Sequence, residues 1–365
     1  LNSYIAKAPW KIFEVMHWLG QGRAKLKAEL AKRVPLDPAA LPYRSQIIDW
    51  LTDQKATGRQ LILATASDLL PATGVSAHLG LFDEVLASNG DVNLKGQNKA
   101  DALVKKYGHG GFDYVGDSAA DLQVWRHANI GHVVSDHTSL PESVKNVCKL
   151  GLVFPGNGNQ LLALMKALRP HQWLKNILIF IPILAAHRYT DQSIILQAIL
   201  AFITFIGCAS SVYILNDLID IPSDRHHERK RRRPLASGDL SIFLGWALWP
   251  VLGALSFYIA FTCLPPQFTA TLSVYFTLTL AYSFRFKKIE IFDAIILAAL
   301  YTLRVIAGGA ATGIPLSFWI LAFSVFIFLS LAFVKRFNEI SAARRRGDIL
   351  TLPGRGYRAG DLEVV

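Results

Sequence analysis

The sequence YILNDLIDIPSDRHHERKRRRPLASG, residues 213–238, closes a long apolar segment with three carboxylates and a run of cations. Asp217, Asp220 and Asp224 stand three and four residues apart, so on a helix they lie on one face. Like charges placed in this way repel each other, and a hard divalent cation shared with substrate phosphates offsets the repulsion. The stretch therefore predicts a magnesium site at the end of a membrane helix, where Asn216 orients the metal-bound groups.

A plainer interpretation of this stretch is a polar loop whose arginines only orient the chain in the membrane. Three carboxylates on one helical face favour the metal site over that loop. Pro222 lies between them, and because a proline removes one helical hydrogen bond, it predicts a kink before Asp224.

The composition places much of the chain in a membrane. Of 365 residues, 52% are hydrophobic and only 18% are charged, which is too apolar for one ordinary soluble domain. The net charge of +11 would permit nucleic-acid binding, but the cations cluster beside apolar segments and not on a polar face with interleaved aromatics. We therefore expect membrane lipids, and no nucleic acid, as surroundings. Three widely spaced cysteines match neither a disulfide framework nor a zinc site.

The second half of the chain contains six apolar segments that approach the roughly 20 residues needed to span a bilayer. Lys and Arg accumulate before the first segment and after the second, fourth and sixth, and such loops are typical of the cytoplasmic side. We therefore predict an all-α multi-pass transmembrane helical bundle whose Asp-rich end faces the cytoplasm. The six segments are residues 173–186, 193–215, 242–264, 268–284, 291–313 and 316–334.

Two further polar clusters are predicted on the same, cytoplasmic side of the membrane. An arginine inside an apolar helix is costly without a partner, so we expect Arg304 to face an interior cavity and an anion. We expect the two clusters and the Asp-rich run to converge on one mouth. The first cluster contains Tyr282, Lys287, Asp293 and Arg304; the second contains Arg169, Lys175 and Asn176.

The first half of the chain alternates helical and strand-like segments over residues 37–155, which predicts an α/β domain. RQLILATAS, residues 59–67, is typical of a buried strand, and FDYVGDSAADLQVW, residues 112–125, of a strand that ends near Asp117 and Asp121. Parallel strands place ligands at their carboxyl ends. A structural domain with ordinary surface carboxylates is the alternative, and residues 1–36 are expected to be a helical cap or linker.

Residues 165–340 resemble the UbiA-type intramembrane prenyltransferases, and most closely the decaprenyl-phosphate phosphoribosyltransferase subgroup. The likeness rests on RPHQWLKN (169–176), the NDxxDxxxD run from Asn216, YSFRFK (282–287), LRVIAGG (303–309) and VKRFNEI (334–340). One departure is Glu228, where the subgroup usually has proline. The resemblance implies a bacterial inner-membrane enzyme of cell wall biosynthesis with nine helices, so about three are expected beyond Val365. Since the chain also begins at Leu1 without a methionine, it is expected to be truncated at both ends. Residues 341–365 are then a truncated cytoplasmic loop.

The resemblance implies a magnesium-dependent transfer of phosphoribose from phosphoribosyl diphosphate to a polyprenyl phosphate. Magnesium on the three aspartates would neutralise the diphosphate, and the nearby cations would bind the two substrates; Asp293 joins the catalytic set. Prenyl transfer from a polyprenyl diphosphate to an aromatic acceptor is the alternative enzyme, and a transporter or lipid-binding scaffold is the alternative of another class. The expected diphosphate contacts are Lys230, Arg231 and Arg233, and the expected acceptor contacts are Arg169, Lys175, Lys287 and Arg304.

The N-terminal half resembles the haloacid dehalogenase superfamily, a Rossmann-like α/β fold. Thr65 matches its second motif, Lys99 its third, and GDSAAD with Asp117 and Asp121 its magnesium-binding fourth. The strand DxDxT, which carries that family's nucleophile, has no counterpart, since the first aspartate, Asp37, lies in a loop. The resemblance implies phosphatase activity only for a longer chain that supplies this strand.

Overall fold

The computed structural model of the protein describes residues 11–156 and 158–345. Its contacts divide the chain into two compact units. One consists of Leu1–Leu164 with Asp217–Ser241, and the other of Met165–Asn216 with Ile242–Val365. The Asp-rich segment therefore groups with the N-terminal unit, which the sequence alone did not indicate.

The N-terminal unit is an α/β structure, as predicted, but its strands form two small parallel sheets where one Rossmann-like sheet was expected. β1 pairs with β2, and β3, β4 and β5 form the second sheet in that order. Up to β5 the elements are α1 (Ile12–Gly20), α2 (Arg23–Arg33), α3 (Ser45–Ala56), β1 (Ile62–Asp68), α4 (Leu69–Leu79), β2 (Glu84–Ser88), α5 (Gln97–Tyr107), β3 (Tyr114–Gly116), α6 (Leu122–Trp125), β4 (Ile130–Val134), α7 (Ser139–Lys145) and β5 (Lys149–Phe154).

The core of this unit lies beside the second sheet. Val124 and Trp125 from α6 pack with Val133 from β4 and Val144 from α7, and all four are fully buried. The indole nitrogen of Trp125 donates to the Tyr114 carbonyl at 3.2 Å, which satisfies the one polar group of this large buried side chain. The helices of the crossovers thus cover the sheet, as parallel strands require.

The remaining helices follow β5 along the chain. They are α8 (Gln160–Leu168), α9 (Pro170–Trp173), α10 (Ile181–Ala185), α11 (Gln192–His226), α12 (Pro234–Ser237), α13 (Ile242–Cys263), α14 (Pro266–Phe284), α15 (Phe292–Thr312) and α16 (Phe318–Arg345). Short 3₁₀ turns occupy Leu174–Phe180, Lys230–Arg232 and Phe286–Lys288. Pro222, where we expected a kink, lies inside α11.

Four of the described helices are long and apolar enough to cross a membrane: α11, α13, α15 and α16. The first predicted segment, residues 173–186, is instead broken into α9, a seven-residue 3₁₀ turn and α10, because Pro182 begins a new helix. α14 is long enough but less apolar, because it contains several serines and threonines. Their hydroxyls bond to backbone carbonyls one turn back, as Ser273 does to Thr269. α16 reaches Arg345, inside the predicted loop 341–365, and the rest of that loop lies outside the described residues.

Two of these helices form the centre of the second unit. The most apolar stretches of α11 and α15 are each 61% buried, whereas those of α13 and α16 are 17% and 11% buried. Phe205 of α11 packs against Phe268 and Tyr275 of α14, with ring centroids 6.2 and 4.5 Å apart. The chain is thus a multi-pass helical protein with a packed interior and two apolar outer helices.

A close backbone approach joins α15 to the 3₁₀ turn Leu174–Phe180. A Cβ atom added at Gly308 would lie 2.0 Å from the carbonyl oxygen of Ile179, so only glycine fits without movement. Gly207 of α11 is also tight, but there the nearest atom is the Ser256 hydroxyl, at 2.4 Å, which belongs to a rotatable side chain.

We expect Gly308→Ala to destabilise the protein by about 1–3 kcal/mol, the usual range for overpacking, because a backbone carbonyl cannot rotate away. Thermal unfolding in detergent measures the effect. Gly207→Ala is the matched control, and its smaller loss should reflect only the rotation of Ser256. Equal unfolding temperatures for the two variants would contradict the proposed backbone contact.

Candidate active site

The carboxylates of the Asp-rich run are held by an arginine from the turn that follows it. Asp217 and Asp224 are 3% and 2% exposed, although both are charged residues of α11. The Nη1 atom of Arg233 donates to Asp217 Oδ1 at 3.1 Å and to Asp224 Oδ2 at 2.6 Å. One guanidinium nitrogen therefore lies between two buried carboxylates, where a cation is electrostatically required.

The other residues predicted for this site lie around that pair. Asp220 is half-buried and repels Asp224, Lys230 attracts Asp224, and Arg231 is exposed in the turn Lys230–Arg232. Asn216 is half-buried and directly precedes Asp217 on α11.

The three aspartates do not form one shared ligand group. In residues 11–156 and 158–345, no three acidic, histidine or cysteine side chains lie close enough to hold a metal ion together. Magnesium binding by all three aspartates stays a prediction. Asp217 and Asp224 are nevertheless brought together, because both carboxylates accept from the same nitrogen of Arg233. This pair still fits magnesium, which commonly takes one or two carboxylates and completes its shell with water and phosphate oxygens.

A second charged group lies inside the helical unit, around Arg304. This residue of α15 is 4% exposed. Its Nε donates to Asn176 Oδ1 at 2.9 Å, its Nη2 to Tyr275 Oη at 3.0 Å, and its Nη1 to the Leu300 carbonyl at 2.5 Å. Two residues predicted for separate clusters, Arg304 and Asn176, are thus in direct contact.

Two more predicted cations belong to this group, which we call the cationic cluster: Arg169, Lys175 and Arg304. Lys175 Nζ lies 5.7 Å from the centre of the Tyr301 ring, and the Arg304 guanidinium lies 5.3 Å from the same ring. Arg169 lies over the ring of Tyr213, at 5.3 Å, and both arginines repel Lys175.

The hydrogen-bond partners of Arg304 are all neutral. Among the residues that the structure describes, no carboxylate lies within ion-pair distance of Arg304 or of Lys175. A buried cation normally has an anionic partner, because desolvation of an unpaired charge is costly. The cluster therefore has the charge and burial of an anion-binding site.

Asp293, predicted to be catalytic, lies in a different set of contacts. It is fully buried, its carboxylate pairs with Nε and Nη2 of the fully buried Arg336, and the latter distance is 3.1 Å. Tyr282, also predicted, donates to Asp293 Oδ1 at 2.7 Å. Arg336 in turn donates to Glu339 at 2.5 Å. Arg336 belongs to the motif VKRFNEI, and no local sequence signal indicated its role. Lys287, another predicted residue, lies in the turn Phe286–Lys288.

We expect Arg336→Leu to lower the free energy of unfolding by about 3–5 kcal/mol, because the buried carboxylate of Asp293 loses its countercharge. The double variant Asp293→Leu with Arg336→Leu should recover much of that loss, since it removes both charges. Thermal unfolding of the two variants side by side measures the difference. A double variant less stable than Arg336→Leu would contradict the ion-pair explanation.

In the N-terminal unit, two residues of the predicted phosphatase-like site are in contact. Lys99 Nζ donates to Asp121 Oδ1 at 3.1 Å and to Tyr114 Oη at 2.8 Å. Burial opposes ionisation of Asp121, but Lys99, Ser118 and Tyr114 together lower its pKa below the usual value. Thr65 is half-buried on β1 and Asp117 is exposed after β3, on strands of different sheets.

The comparison with known proteins identifies the helical unit. Residues 177–359 match the model of the UbiA prenyltransferase family. A protein of Sinorhizobium fredii, y4nM, is 37% identical over 95% of the chain and 67% of its own length. Nodulation protein NoeC of Azorhizobium caulinodans is 44% identical over 55% of the chain and 64% of its own length. A decaprenyl-phosphate phosphoribosyltransferase of Mycobacterium tuberculosis is 37% identical over 57% of the chain and 70% of its own length.

The chain thus spans about two thirds of the length of each of these relatives, and the first of them aligns with both units. The family match covers half of the chain and contains α11, α13, α14, α15 and α16. The chain belongs to the UbiA prenyltransferase family.

Proposed function

We propose that this transferase moves phosphoribose from phosphoribosyl diphosphate to a polyprenyl phosphate, in a bacterial inner membrane and with its active-site mouth on the cytoplasmic side. The proposal is supported by the likeness to a decaprenyl-phosphate phosphoribosyltransferase and by the loop charges that orient the helices.

The observation that carries the proposal is the cationic cluster. Arg304 is buried, it is bonded to neutral groups only among the described residues, and Lys175 and Arg169 lie within electrostatic range. A lipid phosphate would supply the missing negative charge, and the apolar helices around the cluster suit its hydrocarbon tail. A neutral aromatic acceptor would leave the charges of Arg304 and Lys175 without an anionic partner among the described residues.

In the proposed reaction, a phosphate oxygen of the acceptor attacks the anomeric carbon of the ribose. The bond from that carbon to the diphosphate breaks, and the bonding electrons leave with the diphosphate. Magnesium at Asp217 and Asp224 would supply charge neutralisation for the departing group. Arg233, which is bonded to both carboxylates, would donate to the diphosphate oxygens, and Arg304 with Asn176 would hold the acceptor. Catalysis is then mainly positioning and charge stabilisation.

The test compares two labelled donors in membranes that contain the protein. We expect label from phosphoribosyl diphosphate to appear in lipid when polyprenyl phosphate is present. Label that enters product only from polyprenyl diphosphate, together with an aromatic acceptor, would establish prenyl transfer and exclude our assignment. Omission of magnesium should abolish either reaction.

A haloacid dehalogenase-like role for the N-terminal unit is a separate and smaller proposal. It is supported by the bonded pair Lys99 and Asp121. It is also supported by the parallel strands β1, which carries Thr65, and β3, which precedes Asp117. A phosphatase there would remove the ribose phosphate from the lipid product. The expected result is phosphate release from phosphoribosylated lipid by a protein that also carries a DxDxT strand, and none by these 365 residues.

A further inference from the structure

A loop of the N-terminal unit contacts the segment that follows the three aspartates. This loop, residues 37–44, lies between α2 and α3, and we call it the contact loop. Asp37 Oδ2 lies 3.4 Å from Nε2 of His226, the last residue of α11. A Cβ atom added at Gly238 would lie 3.7 Å from Cγ of Pro42, an ordinary van der Waals distance. The contact loop therefore meets the end of the Asp-rich run and the turn after it at two places.

These two places lie on either side of Arg233. His226 precedes Arg233 by seven residues, and Gly238 follows it by five. Arg233 donates to Asp217 and to Asp224, the pair that would hold magnesium. The contact loop thus touches both ends of the short segment that places this guanidinium between the two carboxylates.

This short segment, residues 226–238, is held together by its own hydrogen bonds. The backbone amides of Ala236 and Ser237 both donate to the Arg233 carbonyl at 2.9 Å, and the Ser237 hydroxyl donates to the same oxygen at 3.0 Å. Arg225 Nε donates to the Ala236 carbonyl at 3.1 Å, which fastens the segment to the end of α11. Because these bonds converge on Arg233 and its neighbours, a displacement at either end of the segment is transmitted to Arg233.

On its other side, the contact loop is packed against α4. A Cβ atom added at Gly74 of α4 would lie 3.5 Å from Cγ of Pro38. The Tyr43 ring stacks on His78 of the same helix, with ring centroids 5.9 Å apart. Since α4 begins directly after β1, the strand of Thr65, the contact loop connects the α/β elements with residues that hold the Asp-rich site.

We propose that the contact loop positions Arg233 for the departing diphosphate, so that the α/β elements are a working part of the transferase. The inference rests on the proposed function, because it requires that Arg233 donates to a diphosphate. Asp37 and Pro42 are positioning residues that touch no substrate and act through His226 and Gly238. Without their contacts the carboxylate pair remains in place, but the guanidinium between the carboxylates is less well fixed and the donor binds more weakly.

The expected effect of one contact is modest. Asp37 and His226 are 51% and 58% exposed, and an exposed ion pair contributes little on its own. We expect Asp37→Lys to raise KM for the donor roughly three- to tenfold, because a cation at this position cannot pair with His226. The value of kcat should change less than about twofold, since the groups that act in the transition state are all retained.

The test measures KM and kcat for the donor in membranes that contain each variant. The variants Asp37→Lys, His226→Glu and their combination form a double-mutant cycle with the parent protein, and the combination restores opposite charges in reversed order. Asp53→Lys is the matched control, because it makes the same change of charge at an exposed position of α3. The assay uses whichever labelled donor the parent protein accepts, since phosphoribosyl diphosphate and polyprenyl diphosphate both present a diphosphate to Arg233.

We expect the combination to have a lower KM than Asp37→Lys, and Asp53→Lys to have the KM of the parent protein. An unchanged KM in Asp37→Lys would overturn the proposal, as would single effects that simply multiply in the combination. An equal rise of KM in Asp53→Lys would also overturn it, because net charge and not the contact would then be the cause.

Hydrogen–deuterium exchange gives a second readout that does not require activity. Backbone amides of residues 226–238 should exchange faster in Asp37→Lys than in the parent protein, whereas residues 130–134 of β4 should not change. If the parent protein accepts only polyprenyl diphosphate or neither donor, the proposed function fails, while faster exchange of residues 226–238 would still support the contact. Equal exchange of these residues in the two proteins would reject it.

Discussion

Arg304→Gln is expected to lower phosphoribosyl transfer roughly 10²- to 10³-fold, the usual cost of removing one preorganised charge donor, while the protein remains as stable as before or gains stability. The reason is that Arg304 is a buried cation whose described partners are all neutral. Without an anionic ligand, its charge therefore lowers the stability of the folded protein. Transfer assays and thermal unfolding on the same preparation measure both effects.

Arg336→Gln is the matched control for this prediction. Arg336 is also a buried arginine of the helical unit, but it is paired with Asp293, so its loss should reduce the unfolding temperature. Opposite changes in stability for the two arginines would separate a ligand-binding charge from a structural one. If Arg304→Gln lost as much stability as Arg336→Gln and kept its activity, the cationic cluster would not be an acceptor site.

Asp217→Asn is expected to lower transfer on the order of a thousandfold, because it removes half of the carboxylate pair that would hold magnesium. The change conserves size and keeps a hydrogen-bond acceptor for Arg233, which now bonds to Asp217 at 3.1 Å, so we expect a folded protein. Activity should be measured as a function of magnesium concentration. A shift to higher magnesium would be the direct sign of a weakened metal site.

Two further variants sharpen this test. Asp220→Asn should have a smaller effect, since Asp220 is outside the bridge that Arg233 makes between the two buried carboxylates. Asp191→Asn, at the opposite end of α11, should leave transfer unchanged, because asparagine also caps a helix well. Full activity of Asp217→Asn at ordinary magnesium would place the metal elsewhere.

The sequence predicted local features well and pairings between distant segments poorly. The Asp-rich run was recognisable because three carboxylates at helical spacing repeat within two turns. The partner of Asp293 was not, since Arg336 is 43 residues away and nothing in either helix specifies the other. The positions of the apolar helices were also predictable, except at residues 173–186, where Pro182 and a 3₁₀ turn interrupt an apolar run. Two helix ends were not predictable, since α11 continues to His226 and α16 to Arg345, beyond their apolar segments.

The N-terminal unit shows the same distinction. Strands β1 and β3 lie where their apolar runs predict them, and Lys99 meets Asp121 as the spacing of the motifs implied. The single sheet that we expected is two small sheets in the described residues, because strand pairing depends on contacts between distant segments, which local patterns do not specify.

The close approach of Gly308 to Ile179 also limits how this enzyme could be redesigned. Gly308 lies one turn after Arg304 on α15, and Ile179 lies three residues after Asn176, so the two contacts fasten the same pair of segments side by side. The distance between Arg304 and Asn176, which we propose to bind the acceptor, is therefore constrained by this glycine. Libraries aimed at new acceptor lipids should vary the aromatic wall at Tyr213 and Tyr301 and keep Gly308 constant.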